Sequence, residues 1–292
     1  MSTLHQQIWT DQLMKPFYSE ASFLKYVRDF SAYANYNTIN IADAGFDPKV
    51  IVNNITYPVA ISERQDNPLS FPLDIFSTEN TLVGFQIEVE TAYNKLESVI
   101  FGHRQALQNS VSMKAAHAFA PKSNTEFTPV IQTTGEDNSE GQKRITINDI
   151  LKLKRSFDLL DVPSDKRFLV LDPRHLEDLI LFDLKSFKDV TDISNGTPKR
   201  FAGFNILEYT KNPIYNANTL EKKAFGQVAE PTDAFCSFAF SSDEVMKADG
   251  DVKMFARTDD PELRGTVVGF DKRFIALPIR DKAIGAIVST KI

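Results

Sequence analysis

The chain has 292 residues, enough for one large domain or two modest ones. Lys and Arg total 33 against 39 for Asp and Glu, a formal charge of -6, which argues against a surface given over to nucleic acid and leaves room only for a local basic patch. A single cysteine, Cys236, excludes an internal disulfide and a thiolate metal cluster, while 23 Phe against 1 Trp point to wide apolar burial, in a core or between subunits.

Residues 1–46 read as an extended arm with short helices. The opening MSTLHQQIWTDQLMKPF has no apolar centre of a secretory signal, and no run approaches the ~18 apolar residues of a membrane span. A chain made in a reducing compartment is expected. Apolar residues cluster at Ile8–Leu13, and Phe23, Tyr26, Val27 and Phe30 recur at helical spacing. Trp9, Phe17, Tyr18 and Tyr36 need a surface to pack on, in their own domain or in a neighbouring copy.

Residues 48–87 read as a long hairpin. Val50, Val52, Ile55–Tyr57, Val59 and Ile61 suit one strand, the polar turn Glu63-Arg64-Gln65-Asp66-Asn67-Pro68 follows, and Leu73, Ile75, Phe76 and Leu82–Ile87 suit the return. Pro58, Pro68 and Pro72 place it at an edge. A two-stranded ribbon is marginal alone in water, so it must lie on something.

Residues 88–118 carry the strongest helical signal, with Val89, Tyr93, Leu96, Ile100, Leu107 and Val111 at steps of three, four or seven, Glu88 and Glu90 at the start and Lys114 near the end. Pro121 stops it. Its length, roughly 45 Å at 1.5 Å per residue, makes it a structural axis.

Residues 121–143 read as a polar loop. Thr146-Ile-Asn-Asp149 has the form of a capping box, and Ile150, Leu153, Phe157 and Leu160 form the face of the helix it opens. Phe168–Leu171 suits a buried strand, and Asp172-Pro173 an N-cap followed by a helix faced by Leu176, Leu179 and Ile180. Residues 146–182 are thus a helix–strand–helix unit. Strand candidates follow at Phe201–Leu207, Phe235–Phe240, Val252–Ala256, Gly265–Phe270, Phe274–Pro278 and Ile284–Val288, with Asp249-Gly250-Asp251 as a hairpin turn.

No catalytic constellation emerges. His5, His103, His117 and His175 form no HExxH or close pair, GTVVG at Gly265–Gly269 lacks the Lys and Ser/Thr of a phosphate loop, and the acidic clusters at Asp249/Asp251 and Asp259–Glu262 lack the spacing of a calcium loop. Cys236 has no base signalled for it, and Lys152, Lys154 and Arg155 suit the polar face of a helix. No metal, cofactor or catalytic residue is expected. If the chain were instead an α/β enzyme with a site of scattered residues, Asp149, Asp158, Asp161 and His175 would be the first to test.

The order of elements resembles the major capsid protein of tailed double-stranded-DNA phages, an α+β fold shared with encapsulin shells. The resemblance rests on the hairpin at 48–87, the helix at 88–118, the passage from Val162-Pro-Ser-Asp-Lys-Arg-Phe to His175, and Arg200-Phe-Ala-Gly-Phe-Asn-Ile206. It implies an N-terminal arm at 1–47, an extended loop at 48–87, a peripheral domain of 88–124 (with the spine helix) and 234–292, and an axial α/β domain at 125–233. It implies no enzyme activity, but self-assembly through hexamers and pentamers into an icosahedral virion shell around DNA held without sequence-specific contacts, in the cytoplasm of a bacterial host and away from membranes. An encapsulin-type compartment is the alternative. Intersubunit contacts are expected at Glu63, Arg64, Asp66 and Phe71 of the loop and Trp9, Phe17 and Tyr18 of the arm. No Lys stands at the hairpin tip, Lys49 at its base being the nearest, so covalent cross-linking of the shell is not expected. The short arm implies a separate scaffolding protein, beside a portal.

Overall fold

A computed structural model describes residues 23–35, 38–43, 50–55, 57–59, 67–84, 95–138, 140–182 and 200–292. In chain order, a 3-10 turn at Phe23–Tyr26 precedes strands β1 (Arg28–Asp29), β2 (Ala34–Asn35), β3 (Thr38–Asp43), β4 (Asn67–Pro72), β5 (Asp74–Ser77) and β6 (Thr81–Gly84). Helix α1 (Lys95–Phe119), β7 (Val130–Gln132), α2 (Ile147–Leu159), β8 (Arg167–Leu171) and α3 (Pro173–Phe182) follow. The rest is β: β9 (Arg200–Phe201), β10 (Phe204–Glu208), β11 (Ile214–Asn216), β12 (Asp233–Ser241), β13 (Val245–Asp260), β14 (Gly265–Pro278) and β15 (Ile284–Val288).

The α/β unit is built on a mixed sheet in the order β7-β15-β12-β8-β10-β9, with β11 also on β12. Its inner strands β8 and β15 are buried at every residue because both faces are covered. Leu169 and Leu171 of β8 point into one cluster with Ile150, Leu153 and Phe157 of α2 and Leu179 of α3. Phe168 and Val170, one residue out of phase, point into another with Phe238 and Phe240 of β12, Phe119 of α1 and Phe23. The capping box forms at the start of α2: the Thr146 N–H and Oγ1 both donate to Asp149 Oδ2, at 3.0 and 2.9 Å.

The second sheet, in the order β1-β13-β14-β5 with β6 also on β14, packs against α1. The 25 residues of α1 extend about 37 Å. Ile100, Leu107, Val111, Ala115 and Phe119 form its buried stripe. Residues 88–94 of the expected helix lie outside the described residues. The helix ends two residues before Pro121, where Lys222 Nζ donates to the carbonyls of His117 (2.6 Å) and Ala120 (2.5 Å), groups a helix C-terminus leaves without partners.

Three expectations are corrected. Asp249-Gly250-Asp251 is not a turn. β13 runs through it, the ladder to β14 shifts register between Asp249 and Val252, and the chain reverses at Pro261–Arg264. A Cβ on Gly250 would lie 2.8 Å from Arg273 Cβ, so the glycine serves close approach within a bulge. The described part of the stretch at 50–61 is not the partner of the return strand. Within it, 50–55 and 57–59 are not in strands; β4 pairs with β3, Ile39 opposite Phe71 and Thr38 opposite Pro72, while β5 and β6 pair with β14. Burial decides this choice. Ile39 and Leu73 close a third cluster with Ala248 and Ile275, whereas Val50, Val52 and Ile55 stay 80% or more exposed. Finally, the late strands divide: β13 and β14 join the sheet beside α1, whereas β12 and β15 join the α/β sheet, so 234–292 is not of one piece.

Candidate assembly surfaces

Apolar side chains left in water are the first candidates for a functional surface. Among the described residues, Val50, Ile51, Val52, Ile55, Tyr57 and Val59 form an apolar run between 46% and 93% exposed. Ile75 and Leu82 lie exposed on the β5–β6 edge, Phe101 on α1 and Phe255 on β13. Beyond β11, residues 224–232 are exposed in sequence, with Val228 at 84%.

Of the residues expected at contacts, Trp9, Phe17, Tyr18, Glu63, Arg64 and Asp66 lie outside the described residues. Phe71 lies on β4, half-buried against the chain's own cluster of Ile39, Leu73, Ala248 and Ile275.

The residues named for an enzyme reading are each engaged structurally. His175 is buried in the α/β unit, its Nδ1 2.7 Å from Ser237 Oγ and its Nε2 2.8 Å from Ser289 Oγ. Burial pushes its pKa down to about 4, so the ring is neutral at neutral pH. Asp149 is fully buried and accepts from Thr134 N–H (3.0 Å) and Oγ1 (2.7 Å) as well as from Thr146. Asp158 accepts from Lys154 Nζ (2.5 Å) and Arg167 Nη1 (2.6 Å), and these bonds hold its carboxyl below the usual range. Asp161 takes a left-handed conformation, φ 55°, after α2. Cys236 is buried, its Sγ donates to Pro213 O at 3.1 Å, and burial pushes its thiol far up. Arg167 and the His–Ser network were not legible in sequence, since Ser237 and Ser289 look like ordinary strand residues.

The basic run on α2 is a polar helix face: Lys152 reaches Asp149 at 3.4 Å and Lys154 reaches Asp158. Among the described residues no cluster of three His, Cys, Asp or Glu could hold a metal ion, and no helix is long and apolar enough to cross a membrane.

No family model and no curated protein matches the chain. Solved structures do. The capsid of cyanophage P-SCSP1u superimposes with a TM-score of 0.65 at 15% identity, over 90% of this chain and 86% of that one. The capsid of Ralstonia phage GP4 gives 0.64 at 9% identity, over 94% and 88%. A virus-like particle from Pyrococcus furiosus gives 0.59 at 13% identity, over 97% and 99%. The α+β fold of this chain is the one these capsids share, along nearly its whole length.

Proposed function

We propose that this chain, with the fold of the tailed-phage capsid proteins, is a major capsid protein, a structural subunit that closes with its copies into an icosahedral virion shell around double-stranded DNA. The observation that carries the reading is the likeness to capsids over 90% of the chain or more. The exposed apolar run at 50–59 supports it, since a surface of that kind needs a partner and a shell supplies copies of the chain itself. Each contact can be weak, because one subunit makes many. In this reading the protein acts by tiling, in hexamers and pentamers, and not by catalysis. Its net charge of -6 suits a wall that encloses DNA without gripping it.

The arm (1–47) and the extended loop (48–87), with its Glu63, Arg64 and Asp66, are its contacts with neighbours, and Phe71 on β4 braces the loop. Trp9, Phe17 and Tyr18 anchor the arm. The peripheral domain is α1 with β13 and β14; the axial domain is the α/β sheet, including β12 and β15. A scaffolding protein and a portal belong to the same assembly, formed in the bacterial cytoplasm. The likeness to the Pyrococcus furiosus particle over 97% of the chain favours a protein compartment as the second reading.

Electron microscopy of the purified protein tests both. Closed particles tens of nanometres across are expected, and a monomer at every concentration would refute assembly. Nuclease-protected DNA in particles from the native source would favour the virion; a packaged protein in its place would favour the compartment.

A further inference from the structure

Between α1 and the turn joining β5 to β6 runs a groove of about 560 Å3. Phe76 and Glu79 line one wall; Val99, Gly102, His103 and Ala106 line the other. The space beside Gly102 is open, since a Cβ there would meet nothing within 4 Å. His103 closes the deep side. It is 7% exposed, its ring lies 5.2 Å from that of Phe270 on β14, and its buried Nε2 has no hydrogen-bond partner. Buried polar atoms are nearly always paired, so an unpaired imidazole nitrogen at a groove calls for a physical account.

The two protonation states of His103 have opposite needs. The neutral ring packs as an apolar plate against Phe270. The imidazolium carries a second N–H and a charge, and both need water or an acceptor. The charged residues on the surrounding elements do not supply one to Nε2. On α1 the described charged side chains are Glu97, Arg104 and Lys114, with Lys114 paired to Asp74 of β5 at 3.6 Å. Glu79 stands in the turn, and on β14 are Asp271, Lys272 and Arg273, with Lys272 paired to Asp249 of β13 at 2.6 Å.

We propose that His103 is a proton-operated latch on the seam between α1 and the β5–β6 edge: the neutral ring keeps the seam shut and dry, and a proton taken from solvent opens it by drawing water along the groove to Nε2. Burial lowers the His103 pKa from 6.5, in keeping with a closed state that rejects the proton. The sign follows. The seam is fully stable above 6.5 and loosens as pH falls from there to the closed-state value, its opening constant rising by up to about tenfold per pH unit. The latch belongs to the folded chain and does not depend on shell assembly.

The test is hydrogen exchange on the unassembled full chain between about pH 7.5 and 5, with rates corrected for intrinsic chemistry. In the wild type, opening at 74–84 and 95–110 is expected to rise by up to about tenfold per pH unit below 6.5. In His103→Gln and His103→Leu that rise should vanish. A histidine-selective NMR titration of the wild type, which needs no variant, should show His103 titrating below 6.5 together with the seam. A seam indifferent to pH in the wild type, or one that loosens equally in either variant, would overturn the latch; so would a His103 that titrates at its ordinary value.

Discussion

His175 shows how much a single buried side chain can depend on distant sequence. Its two partners lie 62 and 114 residues away in the chain, on β12 and just past β15, so no spacing pattern announces the network. Because the folded pKa is about 4 against 6.5 in the open chain, the unfolded state binds the extra proton first. Stability is therefore fully present above 6.5 and falls as pH drops toward 4, by about 3 kcal/mol. Urea denaturation at stepped pH should show this loss, and His175→Gln should lose that part of the slope while being less stable at neutral pH. Gly285 makes a second case. A Cβ there would meet Leu153 Cδ1 at 2.7 Å and Phe157 Cε2 at 3.1 Å, where α2 crosses β15. Gly285→Ala should cost about 1–3 kcal/mol by overpacking, read as a lower denaturation midpoint without a change in its slope. Asp149 was the legible counterpart, since Thr146 and Asp149 stand at the spacing of a capping box. Its bonds to Thr134 were not legible, because nothing local ties that loop to the helix.

At the scale of elements, α1 announces its stripe and its stop, but not what caps it. Lys222 lies on a later segment and folds back on the last turn. Burial lowers its ammonium to about 8, which leaves it charged at neutral pH. Lys222→Met should cost about 1.5–3 kcal/mol, the worth of charged hydrogen bonds, and should raise exchange in the last turn of α1 before that of the sheets. The buried strand β8 was legible as an apolar run, because both faces are covered and no polar alternation survives. The bulge at Gly250 was not. Asp-Gly-Asp is turn chemistry, and only the fit of Gly250 against Arg273 keeps the strand going.

The whole molecule raises the question of what covers the extended loop. Val52 and Ile55 are 80% and 93% exposed, so polar replacements there should leave the chain's own stability within about 0.5 kcal/mol. In the shell reading, Val52→Asp with Ile55→Asp should reduce particle yield at least about tenfold, a free-energy penalty of about 1.4 kcal/mol repeated at every contact. Size-exclusion chromatography beside thermal melting separates the two effects. Undiminished particles would remove the loop from the interface; a lowered melting point would mean that it packs on its own body.

The amino-acid order alone determined what depends on near neighbours and on composition: the helical stripes of α1, α2 and α3, the capping box, the buried strand β8, and a succession of elements that resembles a capsid subunit. Tertiary structure decided the pairing. It matched β4 with β3 rather than with 50–61, sent β12 and β15 to one sheet and β13 and β14 to another, and seated His103 and His175 where their charge changes matter. The physical reason is that helical faces and caps involve residues a few positions apart, whereas strand pairing and burial are won by whichever distant segments remove the most apolar surface from water together.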